Sequence, residues 1–272
     1  IQCNQCALVC PHAVIRPYLV KTDSELAKAV DAKPAIGVPG YSFKIQISPK
    51  DCTSCENCVK VCPAINKALE MVKAEDIFEQ EVSNYEKLKD VENPKTIFKK
   101  ETVKGSQFEK PLFEFPGACA GCGETPYIKL LTQLFGEEMI VANATGCSSI
   151  YAGTAPTCPY AKSKTGFGPA WSNSLFEDNA EFGLGMKKSV TNNRKHLEAT
   201  VADAISKNVY DENFTNKLKT WLSQEKKEQA LALEIKNEII KLYKQDKTNE
   251  TTRALYGYVS ALFETSVWII GG

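Results

Sequence analysis

The sequence carries no surplus charge of either sign: 33 basic residues balance 33 acidic ones over 272 residues. Without a basic excess, neither nucleic acid nor an anionic membrane surface is an expected partner. No apolar run approaches the roughly 20 residues that span a bilayer, and no signal-peptide pattern opens the chain, so a soluble protein is expected. An even number of cysteines is also lacking, for there are 11. Disulfides use cysteines in pairs and belong to oxidising compartments. An odd count without a secretion signal points to metal ligation instead.

The cysteines fall into motifs. Residues Cys52-Thr53-Ser54-Cys55-Glu56-Asn57-Cys58-Val59-Lys60-Val61-Cys62-Pro63 read C-x2-C-x2-C-x3-C-P. That spacing wraps a 4Fe–4S cluster with three thiolates and sends the fourth to a neighbouring cluster. Cys3, Cys6, Cys10 and Pro11 repeat it, starting one residue too late for a first cysteine. C-x2-C pairs also build zinc sites, but four crowded cysteines followed by proline fit a cube with an exchanged ligand better. Similar tails follow each copy, His12 to Ile15 and Ala64 to Leu69, which suggests a pseudo-two-fold ferredoxin-like fold. On this scheme Cys3, Cys6 and Cys62 serve one cluster, and Cys52, Cys55, Cys58 and Cys10 the other. His12 is expected to have a surface or packing role, since the thiolate set is complete without it.

Along the chain, Gly37-Val38-Pro39-Gly40 marks a turn. Tyr41, Phe43, Ile45 and Ile47 then alternate with Ser42, Lys44, Gln46 and Ser48, the pattern of a half-buried strand. Residues 70–110 are charged and weakly periodic, and read as a solvated linker or wrapping segment. After Phe115-Pro116-Gly117 a new C-x2-C appears at Cys119 and Cys122. A helix is expected from Thr125-Pro126 to Phe135, with proline in its first turn, and a buried strand over residues 139–144. Cys147 follows that strand, so Cys119, Cys122 and Cys147 could converge on a third cluster. Cys158 is either its fourth ligand or part of a structural loop.

Residues 165–186 read as an aromatic, glycine-rich loop leading to a helix. Residues 187–255 read as helical, with Leu218, Leu222, Leu231, Ile235, Ile239 and Leu242 forming an apolar stripe, and His196 is expected at the surface. Residues 267–272 look like a core strand entering a phosphate-approach loop. Strand, glycine-rich loop and helix together indicate an α/β domain with ligands at strand C-termini. The incomplete first motif and the final Gly271-Gly272 suggest a piece of a longer protein.

The double motif, Gly117 to Tyr127, Ala144 to Tyr151 and Ser174 to Gly183 together resemble pyruvate:ferredoxin (flavodoxin) oxidoreductases. The resemblance implies an α+β ferredoxin-like two-cluster domain over 1–92, then the first part of an α/β thiamine-diphosphate-binding domain over 93–272. It supports the exchanged-ligand scheme and makes Cys119, Cys122 and Cys147 ligands of a third 4Fe–4S cluster. It also places that cluster's fourth ligand beyond Gly272, which disfavours Cys158. Glu124 and Cys147 match positions lining the thiamine site. Gly271-Gly272 match the entry to the family's diphosphate and magnesium loop, whose aspartate is absent here.

The implied reaction is oxidative decarboxylation of pyruvate with coenzyme A to acetyl-CoA and carbon dioxide, with electrons passed to ferredoxin or flavodoxin by a homodimer. An anaerobic cytoplasm, or a hydrogenosome in a protist, is the implied location. Alternatives are another 2-oxoacid, NADP as final acceptor, or a stand-alone ferredoxin-type carrier. Against the carrier stand Glu124 and the 165–185 segment, for which a carrier has no use.

Overall fold

The computed structural model describes residues 2–95, 97–153 and 157–271. The chain forms two compact units, one of residues 1–137, 145–170 and 271–272, the other of 138–144 and 171–270. The motif-based division at residue 92 does not coincide with this one. The reason is packing, because segments after residue 92 close over the ferredoxin-like sheet.

The first unit opens with α1 (Gln5–Leu8), β1 (Ile15–Lys21), α2 (Glu25–Ala29), β2 (Lys33–Pro34) and β3 (Tyr41–Ile47). β1 and β3 pair antiparallel, Ile15 opposite Ile47 and Lys21 opposite Tyr41, with β2 on the far edge of β3. α3 (Asn57–Val61), α4 (Ala74–Leu88), α5 (Val103–Ser106), α6 (Thr125–Phe135) and α7 (Cys147–Gly153) complete it. The expected strand over 41–48 is therefore present.

The face of β3 read as solvated is covered, however. Gln46 is 1% exposed and donates through Nε2 to the Glu81 carboxylate at 2.7 Å. The cover is α4, a helix in the region read as linker. Its charged sequence hides a narrow stripe, Ile77, Glu81, Asn84, Tyr85 and Leu88, at helical spacing. Leu88 joins Tyr18, Val20, Ala27 and Val30 in one apolar cluster. The opposite face of the sheet packs Ile15, Ile45 and Ile47 against Ala7, Cys10, Val14 and Cys58, so the cysteine loops rest on a rigid floor.

Asn93, within the segment read as a linker, serves as a substitute ladder partner. Its Oδ1 accepts from Leu19 N–H at 2.8 Å, and its Nδ2 donates to the carbonyls of Pro17 and Phe108 at 3.1 and 3.0 Å. Asn93→Ala is expected to cost about 1–3 kcal/mol by leaving partly buried backbone groups unpaired, measurable as a lower midpoint in urea with unchanged slope.

In the second unit β4 (Met139–Ala144) runs parallel to β6 (Ser266–Ile270), with Met139 opposite Ser266 and Asn143 opposite Ile270. β5 (Ala170–Ser174) lies on the other side of β4, so the stretch read as a loop contains a strand. α8 (Asn179–Ser206) packs on β4 and β6; α9 (Glu212–Ser223), α10 (Gln229–Gln245) and α11 (Glu250–Gly257) follow. A Cβ on Gly183 would lie 2.6 Å from the Ile269 side chain, which explains a glycine where α8 crosses β6. Leu218, Ile235 and Ile239 of the expected stripe are fully buried with Leu197, Val201, Phe214 and Trp221. Among the described residues no helix is long and apolar enough to cross a membrane.

Candidate functional site

The two cysteine motifs repeat in backbone geometry as well as in sequence. Gln2 and Asn4 flank Cys3 with φ of 55° and 63°; Ser54 and Glu56 flank Cys55 with φ of 53° and 65°. Each loop then enters a short helix, α1 or α3, at the equivalent residue. Left-handed residues cost non-glycine side chains about 1–2 kcal/mol each, so four at matched positions mark a demand of function. Alternating right- and left-handed residues turn successive N–H groups to one side, forming the concavity typical of iron–sulfur and phosphate sites.

Cys52, Cys55 and Cys58 line one pocket together with Cys10, the thiol that the scheme exchanges from the other motif. Pro11, His12, Val14, Ile15 and Met71 also line this pocket. Cys6 lies close to Cys3 and Cys58, and burial pushes its thiol up to about 11. Burial also raises Cys58, helped by Cys10, Cys52 and Cys55. Cys62 differs: its Sγ accepts the Ala68 N–H at 3.2 Å, and that bond, with a second from Ala64, lowers it. Cys62 is not among the thiols that act most on Cys6, which are Cys3 and Cys58. Among the described residues no three His, Cys, Asp or Glu side chains close on a point as a single ion requires. Four thiols lining one pocket beneath an N–H concavity form a donor set that fits an iron–sulfur cluster.

The Cys119–Cys122 loop lies against this pocket. Gly121 has φ +76°, and a Cβ there would sit 3.7 Å from Cys55 Cβ and 4.0 Å from Asn57 Nδ2. There is space for a methyl group but not the backbone angle, so Gly121→Ala is expected to destabilise the loop by ~1–2 kcal/mol, checked as a lower melting temperature. His12 ties the same loops. It is 4% exposed, and its Nε2 lies 3.0 Å from Ala118 O while Nδ1 lies 3.4 Å from Thr53 Oγ1. The packing expectation for His12 holds and the surface one does not; His196 is exposed and stacks on Tyr258.

Cys147 opens α7, one turn before Tyr151 on the same face. Tyr151 is buried, and burial first, then the charge of Glu124, pushes its phenol up; Cys122 also acts on it. Burial likewise raises Tyr160, with Cys158 and Glu124 contributing. Glu124 precedes α6, and the next residue, Thr125, is fully buried. Among the described residues Thr125 Oγ1 and Ser148 Oγ are buried without hydrogen-bond partners, whereas Tyr151 OH has the Glu124 carboxylate beside it. Two unpartnered polar atoms, at the start of α6 and of α7, fit a polar group held there, since such atoms are normally satisfied. Cys119, Cys147 and Cys158 are exposed. Gly272 lies outside the described residues.

In the second unit Asn179 joins the C-terminal ends of the parallel strands. Its Nδ2 donates to Ala142 O and Ile270 O, both at 3.3 Å, and its Oδ1 accepts from Ser174 Oγ at 3.1 Å. Open α/β sheets bind ligands at that end. The motif from Ser174 to Gly183 contained this residue, but its role as a clamp appears only in the fold.

Paired cysteine loops on a ferredoxin-type sheet, with a further thiolate loop packed on one of them, define an iron–sulfur protein of the electron-transfer class. Residues 1–66 match the 4Fe-4S dicluster domain. The chain is 56% identical over 210 residues to the pyruvate:ferredoxin oxidoreductase of Moorella thermoacetica, covering 75% of this chain and 18% of that protein. It is 49% identical to the pyruvate-flavodoxin oxidoreductase of Klebsiella pneumoniae, covering 82% and 19%. It is 45% identical to the mitochondrial pyruvate dehydrogenase (NADP+) of Euglena gracilis, covering 100% and 15%. Over the span it covers, the chain is a homologue of the pyruvate:ferredoxin and pyruvate-flavodoxin oxidoreductases. It spans less than a fifth of the length of these three relatives.

Proposed function

We propose that this chain carries the electron relay and part of the cofactor site of a thiamine-dependent enzyme that oxidatively decarboxylates pyruvate. On this reading coenzyme A takes the acetyl group, and electrons pass one at a time through three 4Fe–4S clusters to ferredoxin or flavodoxin. Cys52, Cys55, Cys58 and Cys10 would hold one cluster. Cys3, Cys6 and Cys62 would hold a second, with a ligand preceding Ile1. Cys119, Cys122 and Cys147 would hold a third, with a ligand from beyond Gly272.

The observation that carries the proposal is the approach of the third thiolate loop to the second, Gly121 against Cys55. Hydrogen bonds to sulfur, such as Ala68 N–H to Cys62, and burial are the protein's means of setting cluster potentials. Thiamine diphosphate, when bound, supplies the electron sink for decarboxylation. Glu124, Thr125, Ser148 and Tyr151 would orient it, with Gly272 at the diphosphate and its magnesium. Buried tyrosines would keep water from that region. A homodimer in an anaerobic cytoplasm, or a hydrogenosome, suits such clusters.

A relative named for NADP keeps a second acceptor in view. Anaerobic assays of the full-length protein with several 2-oxoacids, each with ferredoxin, flavodoxin and NADP, separate these readings. Pyruvate- and coenzyme A-dependent reduction of ferredoxin or flavodoxin is expected. Reduction with no dependence on any 2-oxoacid would leave only an electron carrier.

A further inference from the structure

Lys129, on α6, is 2% exposed, the most enclosed lysine of the first unit. Its ammonium donates to the carbonyls of Ala7 and Leu8, the latter at 3.0 Å. These carbonyls close the C-terminal end of α1, between Cys6 and Cys10. Capping a helix terminus explains the direction of the bonds, but a buried ammonium also needs a counter-charge.

Lys227 shows how the second unit meets that need. It caps α9 through the carbonyls of Trp221, Leu222 and Gln224, at 3.0, 3.3 and 2.7 Å. There Glu198, with an oxygen at 3.9 Å, and Glu264 supply the negative charge. Around Lys129, among the described residues, no carboxylate does so. The groups beside it that can carry negative charge are Cys10 and Cys6, anionic as iron-bound thiolates, and Arg16 adds further positive charge.

We infer that Lys129 is the counter-charge of the two ferredoxin-type clusters, a positioning residue that fixes α1 and raises both reduction potentials. The inference rests on the reading of Cys6 and Cys10 as cluster ligands, one for each cluster. A cluster bound by thiolates is anionic, and one-electron reduction adds a further negative charge. A fixed cation in a low-dielectric interior therefore favours the reduced form. Because Lys129 stands on the helix that follows Cys122 and Glu124, α6 would couple the third thiolate loop to the acceptor side of the relay.

The test compares anaerobically isolated full-length wild type with Lys129→Met, Lys129→Gln and Lys129→Arg, by iron content and redox titration followed by electron paramagnetic resonance. In the Met and Gln variants the reduction equilibrium of these two clusters should move at least tenfold towards the oxidised form, ~59 mV for a one-electron couple. The Arg variant should stay close to wild type. Loss of these clusters from the Met and Gln variants with retention in the Arg variant would also support the inference, since charge would then be what holds them. Unchanged potentials in a loaded Met or Gln variant would overturn it, as would equal cluster loss in all three, which would assign Lys129 to shape alone. A wild type without signals from these clusters would remove the ligand assignment itself, and the inference with it.

Discussion

Cys58→Ala in the full-length protein is expected to remove a whole cluster, and with it pyruvate-dependent reduction of the acceptor. Cys58 stands in the pocket with Cys10, Cys52 and Cys55 and is also a near neighbour of Cys6. It thus adjoins thiols assigned to both ferredoxin-type sites. Losing an outer-shell partner of a metal costs 10–100-fold in affinity or activity, and losing a ligand should exceed that. Iron content should fall by about one third, taking ~4 irons per cluster and three clusters. Acceptor reduction should fall more than ~100-fold. Cys158→Ser is the control: exposed in the loop before Tyr160, it should leave iron content unchanged. A Cys58→Ala protein with full iron content would remove Cys58 from the ligand set.

Cys147→Ala should separate chemistry from electron delivery. Cys147 begins α7, whose buried side carries Ser148 and Tyr151 near Glu124. Loss of its thiolate should disable the third cluster while leaving the residues proposed to orient the thiamine in place. Carbon dioxide release in a single turnover should persist, and ferredoxin reduction should drop by more than ~100-fold. Normal ferredoxin reduction by this variant would show that electrons do not pass through a cluster held by Cys147.

Much of this was legible because it is local. Cys52, Cys55 and Cys58, adjacent through the x2-x2 spacing, line one pocket, and Cys10 of the other motif lines it too. The strands over 41–47 and 139–144 and the helix from Thr125 follow from alternation and from proline in a first turn. What stayed hidden depends on partners far along the chain. α4 looked like a solvated linker because only its narrow apolar stripe meets the sheet, and the partner of its Glu81 is Gln46. His12 appeared dispensable until Ala118 and Thr53 closed on it. Lys129 sits in a helix whose sequence suggests a surface lysine, and its burial is decided by carbonyls over 120 positions away. The left-handed residues beside Cys3 and Cys55 are Gln, Asn, Ser and Glu rather than glycine, so composition gave little sign of them.

The most direct test of the electron-relay account is to add pyruvate and coenzyme A to the anaerobically isolated full-length protein and follow its clusters by electron paramagnetic resonance. The account predicts signals of reduced 4Fe–4S clusters on adding both, with an iron and acid-labile sulfide content of about 12 each per polypeptide. Clusters that dithionite reduces but pyruvate with coenzyme A leaves oxidised would contradict it, and would make the chain part of an electron carrier with no thiamine chemistry of its own.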